Sequence, residues 1–240
     1  MPPCTRWSAI TAADALHTEP IAKRPLDVLV AGLGLVALAP LLGAIAVAVR
    51  LDSDGPILYR ATRAGRAGRP FTMYKFRTMR ARQGGRPDRI TRHGDDRITR
   101  VGRLLRRTRL DELPQLWNVL VGDMSLIGPR PEDPHYVELY SSRQRRVLDV
   151  RPGITSLAAL RFRDEQALLV GAGWERTYTE MVMPAKLEID LAYVEHQSLG
   201  LDLRILAATA LLLLGQDRLA DRLVARVDVP MTAPALVRSA

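Results

Sequence analysis

The longest uninterrupted apolar stretch of the chain lies near its N-terminus, where the 22 residues of Val28–Val49 include no charged side chain. As an α-helix this stretch would be roughly 33 Å long, enough to cross the core of a bilayer. Pro40 lies near its middle and removes a helical hydrogen bond, so the helix must kink or turn back. Cations flank both ends, which permits both a kinked spanning helix and a segment whose two ends share one side. A cleaved signal peptide would have a shorter apolar part.

Further along the chain, the pattern predicts a mixed domain. Ile57–Arg63 and Phe71–Thr78 are apolar-rich runs joined by a loop with two glycines, which is typical of a β-hairpin. Pro114 is tolerated only in the first turn of a helix, so the next amphipathic helix is expected to begin near Asp111. Other helices are predicted over Val101–Arg107, Pro184–His196 and Leu203–Leu214. The last apolar run is too short to span a bilayer and is expected to pack or to lie at the interface.

The positive charge of the chain is concentrated in one segment. The formal net charge is +9, and residues 60–109 hold 16 Arg and one Lys against three Asp. A basic block beside an apolar anchor indicates anionic partners such as lipid headgroups, phosphates or nucleic acid. No aromatic motif interleaves with this block, which argues against specific nucleic-acid recognition. The single cysteine excludes a disulfide framework, and the four histidines fit no zinc spacing.

Two adjacent carboxylates, Asp111 and Glu112, are the strongest candidates for chemistry. Taken alone, such residues at a helix start most often cap the helix and complement its dipole. Cations in nearby or motif-like segments favour another interpretation: Lys75, Arg77, Arg106 and Arg130. Carboxylates among cations suit phosphoryl chemistry, in which one carboxylate attacks phosphorus, the other holds a divalent metal and the cations neutralise the phosphates.

Several short motifs follow one another in a characteristic order. They are Lys23-Arg24-Pro25-Leu26-Asp27 with the Pro-broken apolar run, Leu51–Pro56, Lys75–Met79, Asp96–Gly102, Leu110–Asn118, Gly122–Pro131 and Arg151–Thr155. In this order they resemble the bacterial sugar transferases, also called monotopic phosphoglycosyl transferases. The resemblance extends from about Lys23 to about Leu214, which is most of the chain.

The resemblance implies a reaction and a place for it. The apolar segment would be a re-entrant helix-hairpin, broken at Pro40, in one leaflet of the bacterial plasma membrane, with the catalytic domain on the cytoplasmic face. Asp111 would attack the β-phosphorus of a UDP-sugar, release UMP and pass the phosphosugar to polyprenyl (undecaprenyl) phosphate. Glu112 would help to bind Mg²⁺. The implied phosphate or substrate ligands are Lys75, Arg77, Arg106, Arg130 and Asp190. The product would start the synthesis of an exopolysaccharide, capsule, O-antigen or glycoconjugate.

The fold expected from these patterns and this resemblance is α+β and mainly helical. It would combine the re-entrant hairpin, a small β-hairpin and amphipathic interfacial helices. The expected organisation is an N-terminal tail (1–22), a membrane segment (23–50), a catalytic domain (51–215) and a C-terminal tail (216–240). The chain is therefore expected to be a minimal catalytic unit, without the extra N-terminal spanning helices of larger members.

The sequence leaves two points open. Ser156–Glu165 departs from the Gly-Trp-Ala-Gln type of segment that many family members have here, which affects recognition of the sugar and the base. The alternative function is a non-catalytic membrane scaffold that recruits polysaccharide machinery. Such a scaffold would keep the anchor and the basic face but would not need the adjacent carboxylates.

Overall fold

The computed structural model describes residues 19–80, 95–163, 165–169, 171 and 173–225. The helices are α1 (Lys23–Ala37), α2 (Ala39–Asp52), α3 (Arg100–Thr108), α4 (Gln115–Val121), α5 (Pro134–Val137), α6 (Leu157–Arg161), α7 (Glu165–Leu168), α8 (Trp174–Thr177), α9 (Met183–Glu195), α10 (Leu199–Leu213) and α11 (Asp217–Ala225). The strands are β1 (Leu58–Ala64), β2 (Pro70–Phe76), β3 (Ser125–Ile127) and β4 (Gly153–Thr155). The predicted α+β, mainly helical fold is confirmed. Most of the expected N-terminal tail lies outside the described residues.

Strands β1 and β2 form the predicted antiparallel hairpin, and Ala61 pairs with Met73 in its register. Both of these side chains face the main hydrophobic core. The free edge of β2 is held by α4, because the Asn118 amide donates to the Thr72 carbonyl at 2.7 Å and accepts from the Tyr74 N–H at 3.1 Å. This edge is therefore covered, and the hairpin is fixed against α4.

The apolar N-terminal segment forms a bent pair of helices. The axes of α1 and α2 change direction by 63° at the break, and Pro40 lies in the first turn of α2. Within the described residues, no single helix is both long and apolar enough to cross a bilayer, whereas this pair together is. Gly34 on one face of α1 packs close to Leu116 of α4. The other face of α1 exposes large apolar side chains, including Leu29, Leu33 and Val36. The pair has the break that a re-entrant hairpin requires.

The beginning of α1 is fastened to the domain by buried polar contacts. Lys23 Nζ lies 2.5 Å from an Asp202 carboxylate oxygen of α10, and both side chains are almost fully buried. Arg24 donates to the carbonyls of Val119 at 2.6 Å and Leu120 at 3.1 Å, near the end of α4. These contacts add side-chain donors to carbonyls at the C-terminus of α4, where the Val119 carbonyl also accepts from the Gly122 N–H at 3.2 Å.

The end of α2 is fastened to the same domain. Arg77 Nη2 donates to the carbonyls of Val49 at 3.3 Å and Ser53 at 2.5 Å. Ile45 and Val49 also pack with Phe76 in a second, smaller hydrophobic cluster. Both ends of the bent pair therefore contact one domain.

Two element boundaries differ from the sequence expectation. The helix expected to begin near Asp111 begins at Gln115, because Pro114 occupies the N-cap position and Leu110–Glu112 form a separate 3₁₀ turn. The segment after Gln216, expected to be a tail, begins with α11, which packs on α10. Its buried residues are Ala220 and Val224. Leu219, Ala220, Leu223 and Val224 recur at helical spacing, so the expectation overlooked a signal that the sequence contains.

The buried ion pair between Lys23 and Asp202 yields a stability prediction. Asp202→Leu should lower the free energy of unfolding by about 3–5 kcal/mol, because it leaves the Lys23 charge buried without its partner. Thermal unfolding of the purified protein in detergent measures the change. The double variant Lys23→Met/Asp202→Leu should recover much of the loss.

The matched control is Arg143→Ala, which removes an exposed ion pair with Glu188. Its effect should be less than about 1 kcal/mol. If the double variant were no more stable than Asp202→Leu, the charge of Lys23 would not be the cause of the loss.

Candidate active site

The adjacent carboxylates lie in a 3₁₀ turn whose direction is set by the preceding residue. Arg109 ends α3 in the left-handed region, with φ 58° and ψ 12°. This conformation costs a non-glycine residue about 1–2 kcal/mol, so the surrounding contacts must hold it. The turn directs Asp111 and Glu112 inward, and each is only 8% exposed. Asp111 makes no capping hydrogen bond, and its Oδ1 is buried with no partner among the described residues. Helix capping therefore does not explain Asp111.

Two cations from different segments hold Glu112. Its Oε1 accepts from Lys75 Nζ at 3.1 Å and from Arg130 Nη2 at 2.6 Å. Burial alone would raise the pKa of Glu112, but Arg130 and Lys75 outweigh it and hold this pKa well below its ordinary value. Glu112 in turn raises the pKa of Arg130, while burial lowers the pKa of Lys75. Glu112 therefore stays ionised at every pH at which the protein would work.

The pKa of Asp111 shifts in the opposite direction to that of Glu112. Burial and the neighbouring Glu112 raise the pKa of Asp111, and Lys75, Arg106 and Arg109 oppose this change. Arg106 Nη1 is also buried with no partner in the described part of the chain, and burial lowers the pKa of Arg106. Neighbouring carboxylates whose pKa values move apart are typical of catalytic sites. The site thus combines one neutralised carboxylate with one carboxylate whose Oδ1 is unpaired.

Arg130 reaches this site from a loop that β4 holds closely. The Gly128 N–H donates to the Thr155 carbonyl at 3.1 Å, and the Gly153 N–H donates to the Pro129 carbonyl at 2.9 Å. A Cβ atom on Gly128 would lie 2.4 Å from a backbone carbonyl oxygen of the segment before β4. Glycine is therefore required for this close approach. The approach fixes the position of the backbone from which the Arg130 side chain extends.

The structure brings together five of the residues singled out in the sequence: Lys75, Arg106, Asp111, Glu112 and Arg130. Arg77 lies apart, buried at the end of α2. Asp190 is 4% exposed on α9, behind the Arg130 loop. Pro40 lies at the bend of the membrane segment.

Two contributors were missed by the sequence analysis. The charge of Arg109 acts on both carboxylates, and Asn118 joins α4 to β2. Asn118 lies in the same motif as the carboxylates, so that motif was a usable signal. The left-handed conformation of an arginine has no sequence signal, because glycine and asparagine are the residues that normally mark it.

Comparison with known proteins identifies the family. A profile of the family described as "Bacterial sugar transferase" matches residues 18–216. A UDP-glucose:undecaprenyl-phosphate glucose-1-phosphate transferase of Caulobacter vibrioides is 43% identical over 198 residues, which cover 81% of this chain and 70% of that protein.

Two further relatives support this assignment. A protein of the same description from Xanthomonas campestris pv. campestris is 42% identical over 202 residues, 82% of this chain but 39% of that protein. The uncharacterized sugar transferase EpsL of Bacillus subtilis is 41% identical over 165 residues, 67% of this chain and 71% of that protein. The family inferred from the sequence motifs is confirmed: the chain belongs to the bacterial sugar transferase family.

Proposed function

We propose that this chain is a phosphoglycosyl transferase that moves glucose 1-phosphate from UDP-glucose to undecaprenyl phosphate. Membership of the family and the Caulobacter relative at 43% identity support the reaction class, the donor and the acceptor. The Xanthomonas relative, of which the chain spans about two fifths, has the same substrates in its description. The product would begin the assembly of a surface polysaccharide or glycoconjugate on its lipid carrier.

The reaction proceeds in two displacements at phosphorus. An Asp111 carboxylate oxygen attacks the β-phosphorus of the donor, the bond from that phosphorus to the bridging oxygen breaks, and UMP leaves. The phosphosugar is then held on Asp111 as an acyl phosphate. An oxygen of the polyprenyl phosphate attacks the same phosphorus, which releases the Asp111 carboxylate and forms the polyprenyl diphosphosugar. Lys75, Arg106 and Arg130 supply the positive charge that the phosphates need.

The observation that carries this mechanism is the buried, unpaired Oδ1 of Asp111 next to a neutralised Glu112. An unpaired buried polar atom is costly, by about 1–3 kcal/mol, and requires a functional explanation. A non-catalytic scaffold would not need this atom, so the scaffold alternative has no support from the site. The Glu112 carboxylate is already engaged by two cations, which leaves Asp111 as the nucleophile.

The site also fits the Mg²⁺ that the resemblance implies. Within the described residues, no group of three or more His, Cys, Asp and Glu side chains forms a metal cage. Mg²⁺ commonly binds to one or two carboxylates together with substrate phosphates and water, and such a site needs no cage. The orphaned Asp111 oxygen beside Glu112 is compatible with a cation there. Lys75 and Arg130 both bind Oε1 of Glu112, so its Oε2 would hold the metal, which would neutralise charge on the donor diphosphate.

The contacts of the bent helix pair support a re-entrant arrangement at the membrane. Lys23 and Arg24 fasten the start of α1 to the domain, and Arg77 fastens the end of α2 to it. If both ends lie on one side, only the region around Pro40 enters the leaflet. The nucleotide donor is cytoplasmic, so we place the domain on the cytoplasmic face of the plasma membrane.

The nucleophile is tested by Asp111→Asn. The substitution is nearly isosteric, so the fold should persist, whereas UMP release should fall by at least about a thousandfold, since the covalent catalyst is lost. UMP release is measured in detergent with UDP-glucose, undecaprenyl phosphate and Mg²⁺. The matched control is Asp217→Asn, which changes an exposed carboxylate on α11 and should leave the rate unchanged. Activity above a few per cent in Asp111→Asn would rule out this role.

The covalent intermediate is tested with donor whose β-phosphate is radioactive. In the absence of the acceptor, label should remain on the protein, and it should leave when undecaprenyl phosphate is added. Asp111→Asn should take up no label, and EDTA should prevent labelling until Mg²⁺ is restored. Full turnover without any trapped label would indicate direct transfer between the two substrates.

The topology is tested with Cys4, which is the single cysteine of the chain and precedes the apolar segment. In a re-entrant arrangement Cys4 lies in the cytoplasm, so a membrane-impermeant maleimide should label it only after spheroplasts are lysed. Labelling of intact spheroplasts would instead show that the segment spans the bilayer. Pro40→Leu restores the missing backbone donor and should shift some molecules towards such labelling.

A further inference from the structure

We propose that Asp190 is a positioning residue, which holds the Arg130 loop from behind and so keeps the Arg130 guanidinium on Glu112. This inference rests on the proposed function, because Glu112 and Arg130 are parts of that site. It gives Asp190 a role other than the substrate contact expected from the sequence. A carboxylate repels phosphate, and Asp190 is buried on α9 behind the Arg130 loop.

The surroundings of Asp190 point to the loop. Its carboxyl group lies close to the backbone N–H groups of Arg130 and Ala158 and to the Ser156 hydroxyl. Asp190 also lines a small cavity together with Arg130, Glu132 and Tyr140. Its Oδ1 is buried, and the residues that the structure describes offer this oxygen no hydrogen bond. The carboxyl group therefore lies where its charge acts on the loop backbone and on the start of α6.

Backbone hydrogen bonds restrain the Arg130 loop on both sides of Arg130. β4 binds Gly128 and Pro129, and the Glu132 carbonyl accepts from the Ala64 N–H at 2.9 Å. The N–H of Arg130 lies between these two attachments, and Arg130 and Asp190 line the same cavity. The guanidinium of the same residue donates to Glu112 at 2.6 Å. A small shift of the loop would therefore lengthen the contact that neutralises Glu112.

The ionisation of Asp190 gives this restraint a pH dependence. Burial raises the pKa of Asp190 to about 7, although Lys186, the N–H groups and Ser156 lower it. The charged and titratable groups that face it are Lys186 on α9, Tyr140 after α5, and Arg130 and Glu132 across the cavity. Above this pKa the carboxylate is negatively charged and attracts the N–H groups of the loop. Below it, this charge is lost and the restraint weakens.

The experiment measures kcat for UMP release between pH 6 and 8 in the full-length protein. Wild type should show an inflection near pH 7 and lose activity towards pH 6, in addition to any loss at lower pH from Asp111. Asp190→Asn cannot ionise and resembles the protonated carboxyl group. Its kcat should stay near the wild-type value at pH 6, and its profile should be flat through this window. Retention of the wild-type inflection in Asp190→Asn would overturn the proposal.

A double-mutant cycle tests whether Asp190 acts through Arg130. Asp190→Ala should lower kcat by about ten- to a hundredfold, as expected for a misplaced catalytic cation. In an Arg130→Ala background the same substitution should have almost no further effect. Equal losses in both backgrounds would show that Asp190 acts independently of Arg130, and the proposal would be wrong.

The controls separate this proposal from others. Glu188→Gln changes a partly exposed side chain on the same helix and should change neither kcat nor the pH profile. Thermal unfolding of each variant identifies a loss caused by misfolding, and Asp190→Asn then carries the test. An absence of UMP release by wild type would refute the proposed function itself, whereas additive losses in an active enzyme would refute only the role of Asp190.

Discussion

A buried carboxylate must be neutralised by nearby cations, and the pairing of Glu112 with Lys75 and Arg130 meets this requirement. Leaving such a charge unpaired would cost about 3–5 kcal/mol. Lys75 lies in β2 and Arg130 in the loop before α5, 55 residues apart in the chain. The hairpin must therefore pack on α4 in one register, and β4 must hold the loop in one position. The pairing of Glu112 thus makes the site depend on the whole domain.

The same requirement governs the junction with the membrane. Cations beside an apolar segment usually indicate contact with lipid headgroups, but Lys23 and Arg24 are used inside the protein. Arg77, at the other end of the helix pair, is likewise used to bind carbonyls of α2. Because these cations bind the domain at both ends of the bent pair, the two helices pack as part of the domain. The site and the bent helix pair share α4, which packs against α1 and against β2.

Asp111 and Glu112 show how two neighbouring residues of similar chemistry acquire different properties. The 3₁₀ turn points both inward, yet only Glu112 reaches Lys75 and Arg130. Asp111 is left with burial and the repulsion of its neighbour, which raise its pKa. A single left-handed residue, Arg109, orients both. The difference between the two carboxylates therefore arises from geometry.

Local sequence patterns predicted the apolar segment with its break, the β-hairpin, the family and the two adjacent carboxylates. These features follow from local patterns: an uncharged run containing Pro40, two apolar runs around a glycine loop, and motifs in a fixed order. Which cations bind Glu112 and which bind α2 follows only from the tertiary structure. The four candidate cations lie in similar motifs and are equivalent by composition. Distance and burial place Lys75 and Arg130 on Glu112, and they place Arg77 at the end of α2. They also place Asp190 behind the loop. No local pattern encodes these positions, since each depends on segments far apart in the chain meeting in one packed core.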